Sequence, residues 1–405
     1  MPTLRLPHRR LFVIACAASL LAVYRFGSFD LRGTPTTTTA TTTTTTTVTS
    51  TITTMRHAGT FPKKQKHGAR CSVAQSKRIA NMRPISKTCC PDRKQWGSAF
   101  LKASIQGHEA TIVYAGCNKG DDFVGELREW SRNSTYSVKD MQSATGSTGL
   151  WRFRDGYWGN NPMDRACPGK NEAEIPPSSQ ERRVRGFCIE PMQATTDLLQ
   201  MAFTRLGYFP AVTLIHAAVS SAPGKAQFPA SAAGVESLGL GATDRIGGFV
   251  LVDVVTIDQL VAAHNISSID VLSIDTEGND LRVILGAVHT LAAQMVRLLE
   301  FEYHSIGRWA QSDLQDLIDL LDQFGFDCYW QGGVGWINNT QSLAGLVHNP
   351  GKLWRLTGCW DDSYYVLRGW SNVACANRNE GALIEAMHES ALSIGAEWDI
   401  PPFQS

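Results

Sequence analysis

The sequence predicts an α/β domain organised as a doubly wound, mostly parallel sheet. Short continuous apolar runs alternate with segments of helical period, as strands covered on both faces by helices require. Glycine-bounded turns and acids fall at the carboxyl ends of those runs, where open α/β sheets hold their ligands. With 405 residues, 43% of them hydrophobic, the chain can bury one large core, and a net charge of +1 gives no basis for a nucleic-acid partner. Composition sets no oligomeric state.

Residues 1–10 read as a cytosolic N-terminus, 11–29 as a signal anchor or signal peptide, 30–77 as a threonine-rich stalk and stem, 78–390 as the α/β domain and 391–405 as a tail. Arg5, Arg9 and Arg10 precede an apolar run from Leu11 to Tyr24, the arrangement of a secretory signal or short anchor. As a helix that run reaches about 21 Å, short of a ~27 Å bilayer core unless Phe26 and Phe29 extend it and Arg25 snorkels. Anchor and cleaved signal both stay open; the small residues Ala15 and Ala17 lie inside the run, which favours the anchor. Thr34 to Thr54 is nearly all threonine, forms no core, and suits dense O-glycosylation. Asn133, Asn265 and Asn338 head glycosylation sequons. The expected protein is a single-pass type II membrane protein of the secretory pathway, placed in the Golgi, or a secreted one if the N-terminal segment is cleaved.

Within the domain, a helix is expected over Asp92–Ile105. A strand through Thr111–Ala115 then meets a turn bounded by Gly116 and Gly120 and a helix burying Phe123, Val124 and Leu127. The segment from Asn133 to Arg185 is too long for an ordinary connection and reads as a long insertion. Its Trp151, Phe153, Tyr157 and Trp158 suit either internal packing or a glycan-binding face. A second strand ends at Glu190 and Pro191, a helix closes on Gly207, a third strand covers Ala211–Ser221, and Pro223–Phe228 turns into a short strand. Thr256 with Gln259 spells a capping box for the helix to His264, followed by the strand Ser268–Asp275, a helix over Asp280–Gln294 and the strand Val296–His304. Ser312 with Gln315 caps a helix whose Leu314, Leu317, Ile318 and Leu321 share a face, and Gly325 ends it. Phe326–Gly332 and Ser363–Gly369 complete the sheet as a strand pair.

The chain has ten cysteines. Cys71, Cys89, Cys90, Cys167, Cys328, Cys359 and Cys375 fall where bridges suit an oxidising lumen, whereas Cys117 and Cys188 read as small buried thiols. No C-x-x-C occurs, which disfavours a structural zinc site.

Four strand ends should converge on one edge: the Gly116–Gly120 loop, Glu190, Asp275 and His304. The glycines allow close backbone approach to a ligand, and an acid ending the second strand can take both hydroxyls of a ribose. That combination calls for a nucleoside cofactor. His216 reads as a satisfied core histidine.

The stretches Val255–Leu260, Ile269–Ala287 and Leu298–Glu302 resemble the signature region of FkbM-type methyltransferases, with Val113–Gly120 similar to the family's first loop and Phe187–Pro191 to its second-strand end. The resemblance spans Thr111 to Glu302. Two positions depart from the pattern: Tyr114 stands for an Asp and Ser273 for a Lys. The resemblance implies a Rossmann-like methyltransferase fold and an S-adenosyl-L-methionine-dependent O-methyltransferase. Gly116, Asn118 and Gly120 would cradle the cofactor, Glu190 would bind its ribose, and Asp275 with Glu277 would face the transferred methyl or the acceptor. Asp275, Glu277 and His304 are the candidate bases for a hydroxyl nucleophile. Topology points to a glycan or small-molecule hydroxyl acceptor. Two alternatives remain: a luminal glycosyltransferase with a metal on Asp275 and Glu277, and a non-catalytic binding module, suggested by Tyr114.

Overall fold

The computed structural model describes residues 109–146, 181–231, 233–235, 238–241, 248–331 and 371–391, with short pieces at 69–70, 88–91, 96–97, 100–101, 333–336, 346–348, 353–357 and 359–360. The expected anchor, the stalk, the aromatic insertion, Asn338 and nearly all of the tail lie outside these residues. No helix among the described residues is long and apolar enough to cross a membrane.

The strands of the main sheet are β1 (Ala110–Ala115), β2 (Val184–Glu190) and β3 (Val212–His216). A second, three-stranded sheet contains β4 (Ala218–Val219), β5 (Gly224–Pro229) and β6 (Phe249–Val255). The main sheet continues with β7 (Ile269–Ile274), β8 (Val296–Tyr303), β9 (Phe326–Gln331), β10 (Leu353–Arg355) and β11 (Ser371–Asn377). Its order is β10-β9-β11-β8-β7-β1-β2-β3. From β3 through β8 every pairing is parallel, while β11, β9 and β10 add antiparallel partners. The order reverses beside β1, between β1 and β7, which puts the crevice of an open α/β sheet at their carboxyl ends.

Alternate residues of the strands feed two cores, as the period of two demands. Val113, Phe187, Leu272 and Leu299 pack on one face with Leu260, Leu281 and Leu317. Those residues belong to α4 (Ile257–Ala263), α5 (Asp280–Leu285) and α7 (Leu314–Gln323) respectively, and α6 (Val288–Ala292) joins them through Leu291. Ile112, Cys188, Val271 and Leu298 pack on the other face with α1 (Asp121–Ser131), α2 (Val138–Gly146), α3 (Gln193–Leu206) and α8 (Gly381–Ser390). Helices on both faces make the sheet doubly wound. The four residues 96, 97, 100 and 101 are helical, within the expected first helix.

Several local expectations are corrected. The third strand divides at Ala217, because its second half leaves the main sheet and pairs parallel with β6. Strand β6 was not anticipated; its Phe249, Val250 and Leu251 are apolar yet exposed, so it lacks the alternation of a half-buried strand. The expected helix over Asp280–Gln294 breaks at Gly286, where a Cβ would lie 2.2 Å from the Ser220 carbonyl oxygen. Asp313, not Ser312, holds the N-cap position of α7, without a side-chain cap bond. β9 pairs with β11 and β10, whereas Ser363–Gly369 lies outside the described residues. Thr256 and Gln259 do form the capping box. Cys328 and Cys375 face each other in register and are bridged. Cys117 and Cys188, read as free thiols, are also bridged, since the loop after β1 folds back over β2.

Candidate functional site

A cleft opens at the carboxyl ends of β1, β2, β3 and β7. Three short loops form its polar side. After β1 the chain turns through Gly116 at φ 89 and Asn118 at φ 39. A Cβ at Gly116 would stand 1.7 Å from the Asp275 carbonyl oxygen, so only glycine fits between the two strand ends. The Gly116 and Cys117 N–H groups both donate to Ile189 O, and the Asn118 N–H donates to Glu190 Oε2 at 2.9 Å. Met192 N–H donates to Glu190 Oε1, also at 2.9 Å.

Glu190 is thus fixed by one backbone N–H on each carboxylate oxygen, and each oxygen keeps further acceptor capacity. Its side chain is almost wholly buried, which pushes its pKa up to about 7 against the pull of the two N–H groups. Asn118 and Glu190, far apart in sequence, line the same cleft.

The turn after β7 runs Asp275, Thr276, Glu277, Gly278 and Asn279. Glu277 sits at φ 52, an uncommon conformation for a residue with a Cβ. The acid that closes this turn is Asp280: its carboxylate accepts from Thr276 N–H at 3.4 Å and Gly278 N–H at 3.1 Å. Asp275 and Glu277 are thereby left to line the cleft. Burial, followed by the charges of Glu302, Glu277 and Asp280, raises the Asp275 pKa well above the carboxylate range. Burial likewise pushes Asp280 up to about 7.

Asn279, missed from the sequence, is 1% exposed and donates through Nδ2 to Val219 O at 2.7 Å. That bond orients the amide, and Asn279 Oδ1, Asp275 Oδ1 and the Thr276 hydroxyl have no hydrogen-bond partner among the described residues. The opposite wall is apolar: Met192, Val219, Phe228, Val235, Leu238 and Leu240. Five of these, all but Met192, come from the segment between β3 and β6, whose short second sheet carries no sequence signal for a ligand site.

His304 and Gly120 do not line the cleft. Gly120 is the N-cap of α1, and a Cβ there would press on Leu199 and Met141, so it shapes the turn. His304 is buried, accepts from Ile306 N–H through Nδ1, and is held neutral by a pKa lowered to about 4 through desolvation. His216 is exposed, not a core residue, and its Nε2 meets Pro191 O at 3.0 Å.

The two departures from the methyltransferase pattern are neighbours. Tyr114 and Ser273 are partners in the β1–β7 register, and the buried Tyr114 hydroxyl is hydrogen-bonded to Ser273. A neutral pair replaces two opposite charges, so no lysine stands beside Asp275.

A crevice at the order reversal, a glycine-pinched first loop and a fixed acid ending the second strand stand together where open α/β sheets hold their ligands. Residues 180–328 match the family model of the methyltransferase FkbM domain. The match begins after the first loop and ends within β9. No curated protein and no solved structure matches the chain.

Proposed function

We propose that the chain is an S-adenosylmethionine-dependent O-methyltransferase that modifies hydroxyl groups of a glycan or another secretory-pathway acceptor. The observation that carries this reading is the charge of the cleft. Glu190, Asp275 and Glu277 line it with Asn118, Thr276 and Asn279, and none of its described lining residues is Lys, Arg or His. Orphaned acceptors and raised carboxylates suit a ligand that brings hydrogen-bond donors and positive charge. S-adenosylmethionine supplies a methyl group on a cationic sulfur, together with an ammonium and a ribose diol.

Glu190 would accept the diol, with Asn118 N–H and Met192 N–H holding the carboxylate in place. Gly116 lets the backbone approach the ligand, and Asn279 and Asp275 offer acceptors to its donors. Asp275 or Glu277 would take the acceptor's proton; a raised pKa brings a carboxylate nearer the range useful to a general base at neutral pH. His304, behind the lining, is a poorer candidate.

The secretory context is supported by the two disulfides among the described residues, which suit an oxidising compartment. Asn133 and Asn265 also lie in surface turns, with Asn133 Oδ1 accepting from both Thr135 N–H and its hydroxyl. The apolar N-terminal segment would anchor the protein in the membrane with the domain in the lumen, in the Golgi. A glycosyltransferase is the second reading, favoured by the paired carboxylates but not by a cleft without cations for a diphosphate.

Calorimetric titration with S-adenosylmethionine, then mass spectrometry of glycans incubated with the protein and cofactor, tests the proposal. Binding and a mass gain of one methyl are expected. Manganese-dependent binding of a nucleotide sugar with no binding of S-adenosylmethionine would overturn it.

A further inference from the structure

We infer that the Cys117–Cys188 bridge is a positioning element of the donor site, so that cofactor affinity depends on its oxidation. The inference rests on the proposed methyltransferase reading for the ligand, but its geometry stands independently. Three successive anchors tie the first loop to the end of β2. The Cys117 side chain is bonded to Cys188, the Cys117 N–H donates to Ile189 O, and the Asn118 N–H donates to the Glu190 carboxylate.

Flanking Cys117 are two left-handed residues, Gly116 at φ 89 and Asn118 at φ 39, the second uncommon for a residue with a Cβ and kept where its surroundings hold it. Asn118 and Glu190 both line the cleft, whereas Cys117 and Cys188 are buried behind it. The bridge therefore sets the distance between two residues expected to hold the cofactor, Asn118 and Glu190, without touching the ligand. The second bridge, Cys328–Cys375, joins β9 to β11 away from the cleft lining and supplies an internal control.

A dithiol reductant would deliver two electrons and two protons: the S–S bond breaks, two thiols form, and the reductant closes into its own disulfide. The test compares the oxidised full chain with Cys117→Ala/Cys188→Val and with the control Cys328→Ala/Cys375→Val. Two readouts are taken: calorimetric Kd for S-adenosylmethionine, and hydrogen exchange of the Asn118 amide without cofactor.

Loss of the first bridge is expected to weaken binding about tenfold through lost preorganisation and to accelerate Asn118 exchange. Loss of the second should change neither. Should the first variant fail to fold, reduction of the control variant, with peptide mapping of the freed thiols, gives the same comparison. Unchanged Asn118 exchange after the bridge opens overturns the inference, and so does an unchanged Kd. If the oxidised chain binds no S-adenosylmethionine, the methyltransferase reading fails, while the exchange comparison still decides whether the bridge positions the loop.

Discussion

Replacing Glu190 with Gln should flatten the pH dependence of the empty protein's stability and weaken the donor site. The carboxylate is 6% exposed, and burial carries its pKa from 4.5 to about 7. A raised folded-state value means its favourable contribution is complete below about 4.5 and lost as pH rises through about 7. At ~1.4 kcal/mol per pH unit, the ionised side chain costs the folded state about 3 kcal/mol at pH 8. Gln has the shape of the protonated acid, with one acceptor oxygen for one of the two backbone N–H donors. Glu190→Gln should therefore sit below the wild type near pH 5 by the cost of one unpaired N–H, about 1–3 kcal/mol, and gain on it by about 3 kcal/mol between pH 5 and pH 8. Asp280, also raised to about 7, titrates in both proteins and cancels in the difference. Urea unfolding at the two pH values measures the stability difference. Calorimetry at pH 8 should show S-adenosylmethionine binding weakened about tenfold or more, the loss of a charge-assisted contact. A stability difference that stays constant between pH 5 and pH 8 would refute the reasoning, because the carboxylate would then be held by favourable interactions that offset its desolvation.

Gly116→Ala places a methyl group 1.7 Å from the Asp275 carbonyl oxygen at a left-handed φ, and urea unfolding should show a loss of about 3 kcal/mol or more. Near-wild-type stability would mean that the ends of β1 and β7 separate freely. Asp275→Asn should cut turnover by about 10²-fold or more in a labelled-methyl transfer assay; full turnover would remove Asp275 from the chemistry. Asn279→Ala leaves the buried Val219 carbonyl without its donor, and thermal or denaturant melting should register about 1–3 kcal/mol.

The sequence by itself determined the strand and helix alternation, the capping box at Thr256, and the placing of Gly116, Asn118, Glu190 and Asp275 at strand ends. These are local properties: apolar period, cap chemistry and glycine position act within a few residues. It also carried the methyltransferase resemblance, concentrated where strand, turn and helix follow one another without interruption. Tertiary structure alone decided that Asp280 closes the turn after β7, which leaves Asp275 and Glu277 facing the cleft. It set His304 behind the lining, paired Cys117 with Cys188, and brought Tyr114 beside Ser273. None of these was legible beforehand, because each depends on strand register and on loops meeting across a sheet whose order differs from the order of the chain. Residue spacing along a polypeptide records the first kind of contact and is silent on the second.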